Sequence, residues 1–288
     1  MKKNVTLNDG SKVEVGLTGN PSGKVIMLPI AKKSVYGQEA ESLKMWGVDP
    51  ELGKNFIDGL SDEFQVLYFN FEGHLFENPQ PDHLTPENIT KDFLLIADEM
   101  KVATFSYYGY SWLALVGLQL AIRTNRLESL IMGGFPPYKG PYKEMMIVTE
   151  KTHEQALNNP GISKEQFEEN TTPEEIDWNN IQIKLDPKQT KQFLTMYKNL
   201  MDFDDTTIHY ESDCPKLTFA GEKDTIVYGE NFGSVTVDMI GLLQKNKQQL
   251  EQLGWDVAIL EGKDMDHTKV MQPNVVLPLI KPWLMDHL

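Results

Sequence analysis

Six short apolar runs, most of them separated by stretches of helical periodicity, restrict this chain to a sheet covered on both faces. They are Lys24 to Ile30, Gln65 to Phe71, Val102 to Tyr110, Leu127 to Phe135, Lys216 to Glu222 and Asp256 to Gly262. A run that stays apolar instead of alternating has no polar face to turn to water, so it reads as a strand buried on both sides. Ahead of these runs, Val5 and Leu7, then Asn8-Asp9-Gly10, then Val13, Val15 and Leu17 read as a hairpin, because Asp-Gly supplies the positive φ angles of a tight turn. Thr85-Pro86-Glu87 opens one of the intervening helices with a capping side chain and a first-turn proline, and Ile89, Phe93, Ile96, Ala97 and Met100 keep one of its faces apolar. The expected class is α/β, a mostly parallel eight-stranded sheet flanked by helices.

The alternation stops between Pro136 and Asp213. No strand-like run occurs there, but helix starts crowd together: Ser163 with Gln166, Thr172 with Glu175, and Asp186-Pro187 ahead of a stripe of Phe193, Leu194, Tyr197, Leu200 and Met201. This reads as a helical lid inserted after the sixth strand, so residues 1–135 and 214–288 form the expected core and residues 136–213 the cap. Within the cap, Asn158-Asn159-Pro160-Gly161 and the acidic run from Glu165 to Glu175 read as loops.

A formal charge of -15 repels nucleic acid and anionic membrane surfaces at long range, so neither is an expected partner, and a neutral or cationic small molecule fits better. Cys214 is the only cysteine, which rules out an intrachain disulfide. The start, Met1-Lys2-Lys3-Asn4-Val5-Thr6, has no apolar run behind its charges, and no segment approaches a membrane-spanning length. A soluble, cytoplasmic protein is expected, with homodimerisation left open.

The segment richest in chemistry is Phe105-Ser106-Tyr107-Tyr108-Gly109-Tyr110-Ser111-Trp112-Leu113-Ala114, an apolar strand, then Gly-x-Ser, then the start of an apolar helix. A serine on a sharp strand-to-helix turn projects its hydroxyl into a cleft; Gly109 leaves room for the turn, and the helix from Trp112 points its positive end at a developing oxyanion. Here the chain resembles the α/β-hydrolase superfamily, whose members order nucleophile, acid and histidine along the sequence. Gly221-Glu222-Lys223-Asp224 closes an apolar run as the acid loop does in that family, and Lys263-Asp264-Met265-Asp266-His267 follows the last run as the histidine loop does. A closing helix from about Val270 to Leu284 completes a likeness that covers nearly the whole chain. The elbow Gly-Tyr-Ser-Trp-Leu-Ala is similar to that of a group of bacterial hydrolase-like proteins.

The resemblance implies a catalytic triad of Ser111, Asp224 and His267, an oxyanion hole made by the backbone amides of Trp112 and Ala31, and no cofactor. Asn70-Phe71-Glu72-Gly73-His74 stands where many members carry an acidic-x-Arg-Gly-His turn, with His74 expected to be structural. Two positions depart from the pattern. Leu113 occupies the place of the elbow's second glycine, and Leu28-Pro29-Ile30-Ala31 replaces the usual His-Gly.

Other assignments remain open from the residues themselves. Asp204, Asp205 or Asp213 could stand in for Asp224, and His74 is the rival of His267, while His83, His153, His209 and His287 are expected in solvent. Tyr107, Tyr108 and Tyr110 read as core or pocket wall, and Trp112 is expected to face substrate. Asp264, Asp266 and His267 lack zinc-type spacing, so no metal is expected. The function this implies is hydrolysis of a small carboxylic ester or lactone through an acyl-enzyme. Acyl transfer with the same triad, and ligand binding without catalysis on the same fold, are the alternatives.

Overall fold

A computed structural model describes residues 1–158 and 186–288. The hairpin forms from β1 (Lys2–Thr6) and β2 (Lys12–Gly19), with Val5 opposite Val13 and Gly10 at φ +85° in the turn. β3 (Val25–Leu28), β4 (Gln65–Phe69), β5 (Phe105–Tyr110), β6 (Leu127–Gly133) and β7 (Lys216–Gly221) follow. A small antiparallel ribbon of β8 (Thr225–Val227) and β9 (Thr236–Asp238) precedes β10 (Trp255–Leu260). The main sheet has eight strands in the order β1-β2-β4-β3-β5-β6-β7-β10. Every pairing from β4 to β10 is parallel, and the β1–β2 and β2–β4 pairings are antiparallel.

The helices are α1 (Gly37–Met45), α2 (Leu52–Leu60), α3 (Phe71–Glu77), α4 (Pro86–Glu99), α5 (Trp112–Ala121), α6 (Tyr142–Asn158), α7 (Pro187–Lys198), α8 (Met239–Gln252), α9 (His267–Val270) and α10 (Pro273–His287). Two cores form, one on each side of the sheet. Phe56, Ile57 and Leu60 of α2 join Val276, Ile280 and Leu284 of α10 against one face. Helices α4, α5 and α8 cover the other, where Phe93 meets Phe69 and Phe71 edge-on at centroid distances of 4.9 and 4.8 Å. Burying one such phenylalanine stabilises the fold by about 2 to 3 kcal/mol. Helix α5 is buried at every position from Leu113 to Ala121, which is why it is apolar all round.

Local chemistry explains where elements begin. Thr85 accepts a hydrogen bond from the Asn88 amide ahead of α4, and Asp186 accepts one from Lys188 ahead of α7. β5 starts at Phe105 and not at Val102, because the Val102 amide bonds the Ala97 carbonyl and Lys101 adopts φ +58° as α4 ends. The closing helix starts at Pro273, later than the pattern suggested, and α9 forms a separate turn before it. The pairs Ser163 with Gln166 and Thr172 with Glu175, the stretch Asn159-Pro160-Gly161 and the run from Glu165 to Glu175 lie outside the described residues.

Helices α6 and α7 lie between β6 and β7 in sequence and pack on each other. The buried Gln192 fixes α7 to the core: its side chain accepts from the Gln80 amide and donates to the Leu75 carbonyl, and Gln189 and Thr195 donate to the carbonyls of Phe76 and Pro81. Of the stripe that starts on α7, Leu194, Tyr197 and Leu200 are buried, whereas Met201 is exposed just past the helix end. No helix among the described residues is long and apolar enough to cross a membrane.

Candidate active site

Strand β5 delivers Ser111 to the C-terminal edge of the sheet in a strained conformation, φ +56° and ψ -129°. A non-glycine residue there costs about 1 to 3 kcal/mol, so its surroundings must impose it. They do so in two ways. The Ser111 amide donates to the Gly133 carbonyl at the end of β6, and Gly109 lets the first turn of α5 fold back over the strand. A methyl group on Gly109 would lie 2.2 Å from the Leu113 carbonyl oxygen.

Asp224 follows β7 and is completely buried, with one carboxylate oxygen 2.8 Å from His267 Nδ1 and the other without a hydrogen-bond partner among the described residues. Gly221 makes this approach possible, since any side chain there would meet the Met265 carbonyl of the histidine loop at 2.1 Å. His267 opens α9, where Asp266 caps the turn through the Lys269 amide. Its ring packs on Tyr110 with centroids 5.0 Å apart, and the Tyr110 hydroxyl donates to the His267 carbonyl at 2.8 Å. Gly134, at φ +64°, leaves room for both rings: a Cβ there would sit 2.9 Å from His267 Cε1. The histidine and the serine turn therefore share Tyr110 and Gly133-Gly134 as neighbours. The Ser111 hydroxyl itself has no hydrogen-bond partner among the described residues.

Trp112, the first residue of α5, has a backbone amide with no acceptor among the described residues, as expected at a helix start. Its indole donates to Glu72 at 3.0 Å and packs edge-on against Phe193 of α7 at 5.3 Å. Ser111 and Trp112 line a cavity of about 330 Å³ with Phe76, Met145, Phe193 and Tyr197, and with Thr149, Thr152 and Thr190, whose hydroxyls donate to backbone carbonyls of their own helices. Ala31 is not in its walls. It borders a separate recess of about 230 Å³ shared with Leu113, Leu43, Val48 and Leu52, and its carbonyl lies where a side chain on Gly53 would be. Leu113, in place of a second elbow glycine, is buried in the hydrophobic core and forms one wall of that recess.

Solved structures of similar shape cover essentially the whole chain. A hydrolase from Pseudomonas aeruginosa matches at 14% identity, 98% of both chains and a TM-score of 0.56. A thermophilic esterase from Thermogutta terrifontis matches at 16% identity over all of both chains, with a TM-score of 0.53. The chain has the α/β-hydrolase fold. The bottromycin epimerase BotH has a similar structure too, at 11% identity, 100% and 99% coverage and a TM-score of 0.53. No family model matches the sequence, and no curated protein does.

Within this α/β-hydrolase sheet the rival residues are occupied elsewhere. His74 is buried and contacts Ser11 Oγ at 2.8 Å; burial holds its pKa below the ordinary 6.5 despite Asp9 and Glu77. Asp205 accepts from the amides of Lys139 and Gly140, clipping the exit of β6, while Asp204 closes its own turn with Thr206. Cys214 is buried, and burial raises its thiol pKa. His153 is the exception to the expected solvent positions: it is half-buried between α6 and α7, with Nδ1 3.0 Å from Thr190 Oγ1, and burial lowers its pKa. The sequence pattern marks Tyr110 only as core or pocket wall and gives Gly134 no role. The signal available was position, one residue before the serine and one after the strand end.

Proposed function

We propose that the protein is a serine hydrolase of small, partly apolar carboxylic esters or lactones, working through an acyl-enzyme. The observation that carries this reading is the 2.8 Å contact between His267 and the buried Asp224, beside a serine held at φ +56°. A buried carboxylate that accepts Nδ1–H fixes the tautomer in which Nε2 is the base. Ser111 Oγ attacks the substrate carbonyl as its proton passes to Nε2, and the amide of Trp112, which has no acceptor among the described residues, receives the oxyanion. Collapse expels the alcohol with the proton from His267, and water repeats the cycle on the acyl group. The serine–histidine bond forms as substrate closes the site, a common difference from the free enzyme. Residues 136–213 act as the cap, with α6 and α7 over the cavity.

One observation favours a non-catalytic ligand-binding protein: Ala31 lines a different recess from Ser111. A fluorophosphonate probe and short-chain nitrophenyl esters separate the readings. Wild type is expected to label and turn over, and Ser111→Ala to lose labelling and roughly a thousandfold or more of kcat. Inert wild type would favour binding alone, and turnover that rises strongly with an added alcohol would favour transfer.

A further inference from the structure

The cavity at Ser111 has a character that ester hydrolysis alone does not require. Its broad walls are aromatic, from Trp112, Phe193, Phe76 and Tyr197, and among the described residues no lysine or arginine lines it. Behind the indole stands Glu72, exposed, whose carboxylate accepts the Trp112 Nε1–H at 3.0 Å and has no cationic partner among the described residues. A carboxylate bonded to an indole N–H pushes electron density into the ring, which deepens the negative potential over its face. Aromatic faces backed by an unneutralised carboxylate attract an organic cation more than a neutral group of the same shape. The charge of the whole chain, -15, concentrates cations at its surface in the same sense.

We infer that the Trp112 cavity binds an alkylated ammonium group, with Glu72 setting the preference for positive charge, so that the substrate is a cationic ester. The kinetic part of this inference rests on the hydrolase reading, whereas the binding part does not. Glu72 acts through the indole and is a specificity-determining residue, not a catalytic one.

The test compares choline with the neutral alcohol in which carbon replaces its nitrogen, titrated calorimetrically into the Ser111→Ala protein. Choline is expected to bind about tenfold more tightly than its isostere. Glu72→Gln keeps an acceptor for the indole but removes the charge, so it should reduce that ratio severalfold and leave isostere binding unchanged. Trp112→Leu should abolish the preference. Equal or tighter binding of the isostere, or a ratio unchanged in Glu72→Gln, would overturn the inference; Glu72 is exposed, so that variant folds. With wild type, acetylcholine and its carbon isostere should show the same ratio in kcat/KM. Ammonium binding without any ester turnover would sink the hydrolase reading and leave this one standing, and turnover without charge preference would do the reverse.

Discussion

Gly109 shows how little freedom the serine turn has. A side chain there would drive into the backbone of Leu113 and Ala114, which cannot move without unwinding the start of α5. Gly109→Ala should therefore cost at least about 2 kcal/mol and lower the melting temperature, whereas Ser111→Ala should leave it nearly unchanged. Comparing the two by thermal denaturation checks the claim. Ser111, Asp224 and His267 stand out as candidates because each sits in a short motif with a fixed relation to a strand end. Tyr110 was not, because a tyrosine that packs on an imidazole has the same sequence signature as one that lines a wall. Leu113 was legible as a departure, yet the recess it borders is shared with Leu43, Val48 and Leu52 from a distant part of the chain.

Strands and helices followed the pattern wherever a full period was present. The hairpin, the six apolar runs and α4 all form, with ends shifted by a few residues where capping outweighs hydrophobicity. The β8–β9 ribbon leaves no mark in the sequence, because three-residue strands carry no measurable alternation. Caps can be tested one at a time. Thr85 satisfies the Asn88 amide at the start of α4, so Thr85→Ala should destabilise the protein by about 1 kcal/mol in a denaturant titration, while Thr85→Ser should restore most of it. His153 was expected in solvent as part of a polar loop or helix start, but packing of α7 on α6 half-buries it.

For the molecule as a whole, acid sensitivity should include a contribution from His74, which ties the hairpin turn at Ser11 to α3. Its folded pKa lies below the ordinary 6.5 because burial disfavours the imidazolium, so the unfolded chain binds a proton first on acidification. The neutral ring's stabilisation is complete above 6.5, declines as the pH falls toward the depressed folded value, and levels off below it. Between about pH 7 and about pH 5, wild type should lose more stability than His74→Gln, as read from urea midpoints. By itself the sequence determined the α/β class, the strand positions and three candidate residues in their order, because periodicity and turn chemistry are local properties. Only the tertiary structure decided that Asp224 reaches His267, that Ala31 and Ser111 face different recesses, and that Trp112 is held by Glu72. Those contacts join residues far apart in the chain, and such distances are fixed by how the helices and loops pack around the sheet.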